Sequence, residues 1–351
     1  MMKKASLILL ATALTMATGV SCGKMEKGKT DVTQSEVVIS FSSAAPVTRA
    51  GAVGDGVKDG GGIFINGSDP DLYIAIANYQ GDVIATYCGT DTADAERVGD
   101  ATATQVAIRF KTIANPGEYT VYALANTYVN GTDGVWGAPA NASEWEALTT
   151  ATALDNLKFA DLGEYGTLAV TDRMPLSAKG TLSISENLNG HVELEMLRCV
   201  GKVGFKFKNE SDESITLTGC TVEIEEISPS QGYLFPRTSG DDTAGTPRSI
   251  SLTMSSIVIP SGASTDMYEM QLVFPSIAPE RAIGSRYFCN ISFNQKSFTD
   301  LPIHDKMSQD IQALGRNQYL QIETRINKGN DISFNFEVID WTRKQEEIIF
   351  H

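Results

Sequence analysis

Histidine is almost absent from this chain: three residues among 351, at His191, His304 and His351. None stands beside a serine or cysteine in a pattern that would make a nucleophile and its base. The chain also lacks a GxSxG elbow, a phosphate-binding P-loop, an HExxH pair and a GxGxxG turn following a strand. Carboxylate pairs such as Glu225-Glu226 and Asp241-Asp242 read as solvated strand ends and turns. The expectation is therefore a protein that is not an enzyme. Cysteine is scarce too, five in all, with no CxxC spacing and no His–Cys cluster, so no metal is expected. The Gly-rich stretch from Asp55 to Asp59 lacks the alternating ligands of a calcium loop, and no cofactor is expected. Basic residues are outnumbered, 28 Lys and Arg against 43 Asp and Glu, for a net charge of −15. That balance excludes a nucleic-acid partner, which needs concentrated positive charge.

No apolar run is long and flanked suitably for a spanning helix. The longest, from Leu7 to Val20, follows Lys3 and Lys4 and ends at Ser21-Cys22-Gly23, the layout of a secretory signal peptide over residues 1–21. The Ser21–Cys22 junction resembles a bacterial lipobox, although Gly19 stands where an aliphatic residue is usual. Cys22 is expected to be lipidated and to become the new N-terminus, so that the membrane is reached only through the lipid. The other cysteines, Cys88, Cys199, Cys220 and Cys289, allow three disulfide pairings; buried free thiols are the preferred reading.

What the chain has in quantity is β pattern. Strand-length runs rich in β-branched residues, Ser and Thr are parted by turn residues, which predicts an all-β chain with β-sandwich spacing. After a polar tether, residues 36–42 (EVVISFS) form a short strand with Val37, Ile39 and Phe41 on one face. A loop of Ala, Gly, Pro and Asp follows, carrying Arg49 and Ala50. A first strand followed by such a loop with one arginine suits proteolysis. Residues 71–79 and 82–87 predict a hairpin about Gln80-Gly81. Further strands are read at residues 105–110 and 117–126. Ser143 and Glu146 have capping-box spacing and predict one short helix over residues 144–151. Trp136 and Trp145 are weighed as a glycan-stacking platform against the commoner role of pinning a loop to a core. Residues 174–184 are read as the last strand of the first half.

The second half is predicted to open with one long strand, residues 191–208 (HVELEMLRCVGKVGFKFK). Val192, Leu194 and Met196 alternate in one phase, then Leu197, Cys199, Val203, Phe205 and Phe207 in the other. The flip predicts a bulge at Met196–Leu197. Strands follow over residues 214–227, 250–254, 269–274, 286–293, 318–326 and 331–341. Beyond Trp341 a charged stretch gives way to Ile348, Ile349 and Phe350, an unusual end for a merely solvated tail.

With these residues in view, the chain resembles the fimbrillin family, the pilin proteins of Bacteroidales type V pili. The likeness is carried by DLYIAIANYQGDVI, GEYTVYALANT, MPLSAKG, LEMLRCVGKVGFKFK, LGRNQYLQIETRI and ISFNFEVIDW, in that order along the chain. It implies two tandem transthyretin-like β-sandwich domains, over residues 50–188 and 189–351, behind a removable segment at 22–49. It also implies lipoprotein export through Cys22, cleavage between Arg49 and Ala50 by a trypsin-like Arg-specific protease, and assembly by strand exchange. In that scheme strand Val37–Ile39–Phe41 leaves, and Ile348, Ile349 and Phe350 form the donor strand. The implied partners are other pilus subunits and a host surface ligand or glycan, and the implied place is a pilus on the outer membrane. A surface glycan-binding β-sandwich lipoprotein is the alternative from another functional class.

Overall fold

The computed structural model describes residues 36–43, 63, 65–66, 69–102, 104–113, 115–127, 142–159, 174–237, 243–282, 284–304, 309–327 and 332–340. The chain divides into two units, Met1–Thr33 and Gln34–His351, and everything described belongs to the second.

Ten strands and two helices come first. They are β1 (Glu36–Ser43), β2 (Ile65–Asn66), β3 (Asp69–Pro70), β4 (Leu72–Ala77), β5 (Val83–Cys88), β6 (Ala95–Arg97), β7 (Gln105–Phe110), β8 (Gly117–Ala125), α1 (Ala142–Glu146), α2 (Ala151–Asp155), β9 (Leu176–Ile184) and β10 (Asn189–Arg198). Eight of these strands form one sheet in the order β5-β4-β8-β9-β10-β1-β7-β6. Alternation decides its core face: Val37, Ile39, Ile74, Ile108, Val121, Leu182 and Met196 all point into one apolar cluster. The hairpin about Gln80-Gly81 is present, with Gly81 supplying the positive φ of 88° that its turn requires.

Along β4 every residue is buried, because the sheet's second face is covered there too. Tyr73, Tyr122, Leu154 and Trp145 meet Leu234, Phe235 and Phe274 from the second half in a shared cluster. A strand covered on both faces reads as a continuous apolar run rather than an alternating one.

The single helix predicted over 144–151 is instead two helices. Thr150 is extended between them, Val83 N donates to the Thr149 carbonyl at 2.9 Å, and Ala151 N donates to the Gly81 carbonyl at 2.7 Å. These bonds dock the segment onto the hairpin and stop α1. Thr150, not Ser143, is a cap, accepting at Oγ1 from Ala153 N to start α2.

The second half adds β11 (Gly201–Asn209), β12 (Ile215–Gly232), β13 (Thr243–Ile259), β14 (Tyr268–Val273), β15 (Ser276–Ile277), β16 (Glu280–Arg281), β17 (Gly284–Ser285), β18 (Phe288–Phe293), β19 (Lys296–Pro302), β20 (Ala313–Leu314), β21 (Gln318–Ile326) and β22 (Ile332–Asp340). Two four-stranded sheets, β14-β11-β21-β22 and β13-β12-β18-β19, enclose a cluster that includes Phe205, Phe207, Val222, Ile291, Ile322 and Phe336. The all-β expectation therefore holds.

The long strand predicted over 191–208 is two strands in different sheets. Alternation does not flip at Met196–Leu197; it runs on through Arg198, which takes the next buried place. Its guanidinium donates to Asn317 Oδ1 at 2.6 Å, which answers the cost of burying it. The break comes at Cys199–Val200, where the chain leaves the eight-stranded sheet. Arg316 bridges this junction, donating to Ser177 Oγ at 3.1 Å and to the Leu234 carbonyl at 3.0 Å. The four described cysteines form no disulfide; Cys199, Cys220 and Cys289 are buried and Cys88 half-buried. Burial pushes the Cys88 and Cys220 thiols up to about 12, which leaves them protonated and unreactive at neutral pH.

Candidate functional site

The site is the channel that holds β1. This strand pairs parallel with β10, as Ile39 with Val192 and Phe41 with Leu194. On its other side it pairs antiparallel with β7, as Val37 with Phe110, Ile39 with Ile108 and Phe41 with Val106. Both of its hydrogen-bonding edges are thus occupied, and it lies inside the sheet. Val37 and Ile39 are fully buried and Phe41 is 2% exposed. Below Phe41's neighbour Leu194 lies Gly180. A Cβ at that glycine would come within 2.5 Å of the Leu194 side chain, so a larger residue there would force the end of Leu194 to shift.

The outward face of the strand carries Glu36, Ser40 and Ser42 beside Val38. Ser40 Oγ lies 3.3 Å from His191 Nε2. A cleft of about 300 Å³ opens over this face, with Ser40, Ser42, Gln105, His191 and Glu193 in its wall. At the start of the strand Glu36 pairs with Arg109 at 3.5 Å; Arg109 also pairs with Glu96 at 3.4 Å, and Glu96 meets Lys111. The hydrogen bond from Lys111 holds the Glu96 carboxyl below the usual carboxylate range. The pair at Glu36 is exposed and screened, so it sets register more than stability. The strand is held mainly by its two ladders and its three buried side chains.

In fold, the chain is similar to solved pilus-related proteins over most of its length. A fimbrilin from Porphyromonas gingivalis W83 matches at a TM-score of 0.48 and 11% identity, over 88% of this chain and 98% of that one. A fimbrial assembly protein from Parabacteroides distasonis ATCC 8503 matches at 0.46 and 12%, over 87% and 98%. No family model matches the chain, and no curated protein matches it in sequence.

Of the residues expected to matter, Val37, Ile39 and Phe41 are brought together in this channel. Cys22, Arg49, Ala50, Ile348, Ile349, Phe350 and Trp136 lie outside the described residues. Trp145 is fully buried and stacks on Tyr73 with centroids 4.4 Å apart, so it pins α1 to the sheet and offers no glycan platform. Among the described residues no group of three or more His, Cys, Asp or Glu side chains is placed to hold a metal, and no helix is long and apolar enough to cross a membrane. Sequence reasoning missed Arg109 and His191 as neighbours of the strand. Their signal is weak, because β7 and β10 lie far along the chain from β1 and pairing sets their positions.

Proposed function

We propose that this chain is a structural subunit of a type V pilus, built for strand exchange and serving adhesion at the cell surface. One observation carries the reading. An N-terminal strand with an apolar inner face fills the gap between β10 and β7, and neither strand adjoins it in sequence. Its link to the described residues that follow is the segment bearing Arg49, so one cut after Arg49 leaves the strand held only by non-covalent contacts. In this account the precursor is exported as a lipoprotein acylated at Cys22. A trypsin-like protease cuts between Arg49 and Ala50, and β1 then yields to a strand from a neighbouring subunit. In this account the bodies joined in this way are tandem transthyretin-like sandwiches, with the boundary moved from the expected 188–189 to Cys199–Val200, because β10 stays in the eight-stranded sheet.

Residue spacing supports the C-terminal segment as the donor. Ile39 and Phe41, and likewise Ile348 and Phe350, are apolar residues two positions apart. A donor running parallel to β10 would set Ile348 between Ile108 and Val192, and Phe350 between Val106 and Leu194. Main-chain bonds to both flanking strands would supply affinity, and these two pockets specificity. Glu346 would fall at Val37's fully buried place, where a lone carboxylate is costly, so the exchanged strand would begin after it; Ile348 and Phe350 would fill the two pockets and Ile349 would take Ser40's outward place.

The test is limited trypsin digestion of the precursor followed by electron microscopy. A fragment beginning at Ala50 that forms filaments is the expected result, together with a cut chain lacking residues 342–351 that stays monomeric. First cleavage at Arg97 or Arg237 with Arg49 intact would contradict the processing step, and filaments from the shortened chain would contradict this donor.

A further inference from the structure

A second groove lies on the eight-stranded sheet, separated from β1 by β9 and β10. It has a volume of about 720 Å³, and Tyr79, Gln80, Ile84, Asn115 and Glu118 are in its wall. Tyr79 is 88% exposed and Ile84 43%. A large side chain held this far into solvent beside a concavity is more informative than scattered surface apolar residues.

The walls are two fixed turns. At the β4–β5 tip, Asn78 Oδ1 accepts from Asp82 N at 2.9 Å, Asn78 N donates to the Asp82 carbonyl at 2.9 Å, and Gly81 N donates to the Asn78 carbonyl at 3.0 Å. Opposite, Tyr119 Oη donates to the Asn115 carbonyl at 2.8 Å, and Gly117 turns the chain with a φ of 146°. Tyr79 therefore stands on a pre-organised tip, and little ordering cost is left to a ligand.

We propose that this groove binds a neutral glycan, with Tyr79 as its stacking platform. A pyranose ring presents a face of C–H bonds and a rim of hydroxyls that both donate and accept. The tyrosine ring offers a flat apolar face with a polar tip, and Ile84 extends that surface. Gln80 and Asn115 supply amides of both hydrogen-bonding senses, and the Glu118 side-chain oxygens accept from hydroxyls. Glu118 is the one charged residue among the described residues lining the groove. No lysine or arginine there would recognise a phosphate, a sulfate or an acidic sugar. Nor does the lining suit an extended peptide, which needs a free strand edge and alternating pockets; this groove is built across two turns. Its volume lies in the range of small-ligand sites.

The experiment presents the full chain to an immobilised panel of neutral oligosaccharides of hexoses and N-acetylhexosamines. It uses the wild type, Tyr79→Phe and Tyr79→Ala, and records a thermal melt of each. The expected result is retention on a subset of the panel, kept by Tyr79→Phe and weakened about tenfold or more by Tyr79→Ala, with melting temperatures unchanged. Absence of retention on every glycan would overturn the proposal. Retention by Tyr79→Ala equal to the wild type would place any glycan elsewhere and overturn it as well, as would self-association of the chain through Tyr79 without glycan binding.

Discussion

A chain that begins at Ala50 is expected not to persist as a folded monomer. It lacks β1, and with it Val37, Ile39 and Phe41, all in the core of the eight-stranded sheet. Burial of three such side chains is worth roughly 5–9 kcal/mol, which is comparable to the whole stability of a typical domain, roughly 5–15 kcal/mol. The loss also strips β10 and β7 of a hydrogen-bonded neighbour, and two bare edges beside an apolar channel invite other strands. Such a chain should aggregate or polymerise. A synthetic peptide of residues 36–43, supplied in excess during refolding, should return it to a soluble monomer, because it restores both ladders and all three pockets. Size-exclusion chromatography with and without peptide is the check. A peptide-free monomer melting at the precursor's temperature would show that the sheet closes without β1.

Replacing Phe41 by aspartate should be nearly as damaging without removing a single backbone bond. The carboxylate would sit between Val106 and Leu194, where Phe41 is 2% exposed. A charge buried without a partner costs several kcal/mol or forces the group to protonate. The control is Ser42→Asp on the same strand, facing outward and half-buried, where the change should stay within about 1 kcal/mol. Urea denaturation of the two precursors should therefore separate them by at least about 3 kcal/mol. Equal midpoints would mean that the inner face of β1 contributes nothing to the fold.

The strands were legible because so many carry one apolar face: β7 and β21 lie where alternation alone puts them. Where the reading went astray, a distant residue had intervened. Arg198 looked like an outward residue and so suggested a change of phase. It is buried because Asn317, 119 residues away, accepts its hydrogen bond. The predicted helix failed at Thr149–Thr150, whose backbone is claimed by the hairpin at Gly81 and Val83. β13 spans 17 residues where five were read: residues 245–249 are all exposed and show no alternation, and exposed Ser255 and Ser256 part the reading from the buried Ile257 and Ile259. The same limit applies to the site. Val37, Ile39 and Phe41 could be read as an inner face, but only pairing shows that this face lies in the middle of a sheet. The groove at Tyr79 had no sequence signal beyond one aromatic residue in a turn.

The central claim is that β1 is exchanged for another strand, and native mass spectrometry of the Arg49-cleaved protein tests it most directly. Cleaved monomers should still carry the fragment that ends at Arg49, bound without a covalent link, and filaments grown from them should have lost it. Filaments that retain one such fragment per subunit would contradict the claim, because the channel between β10 and β7 would then never have been vacated.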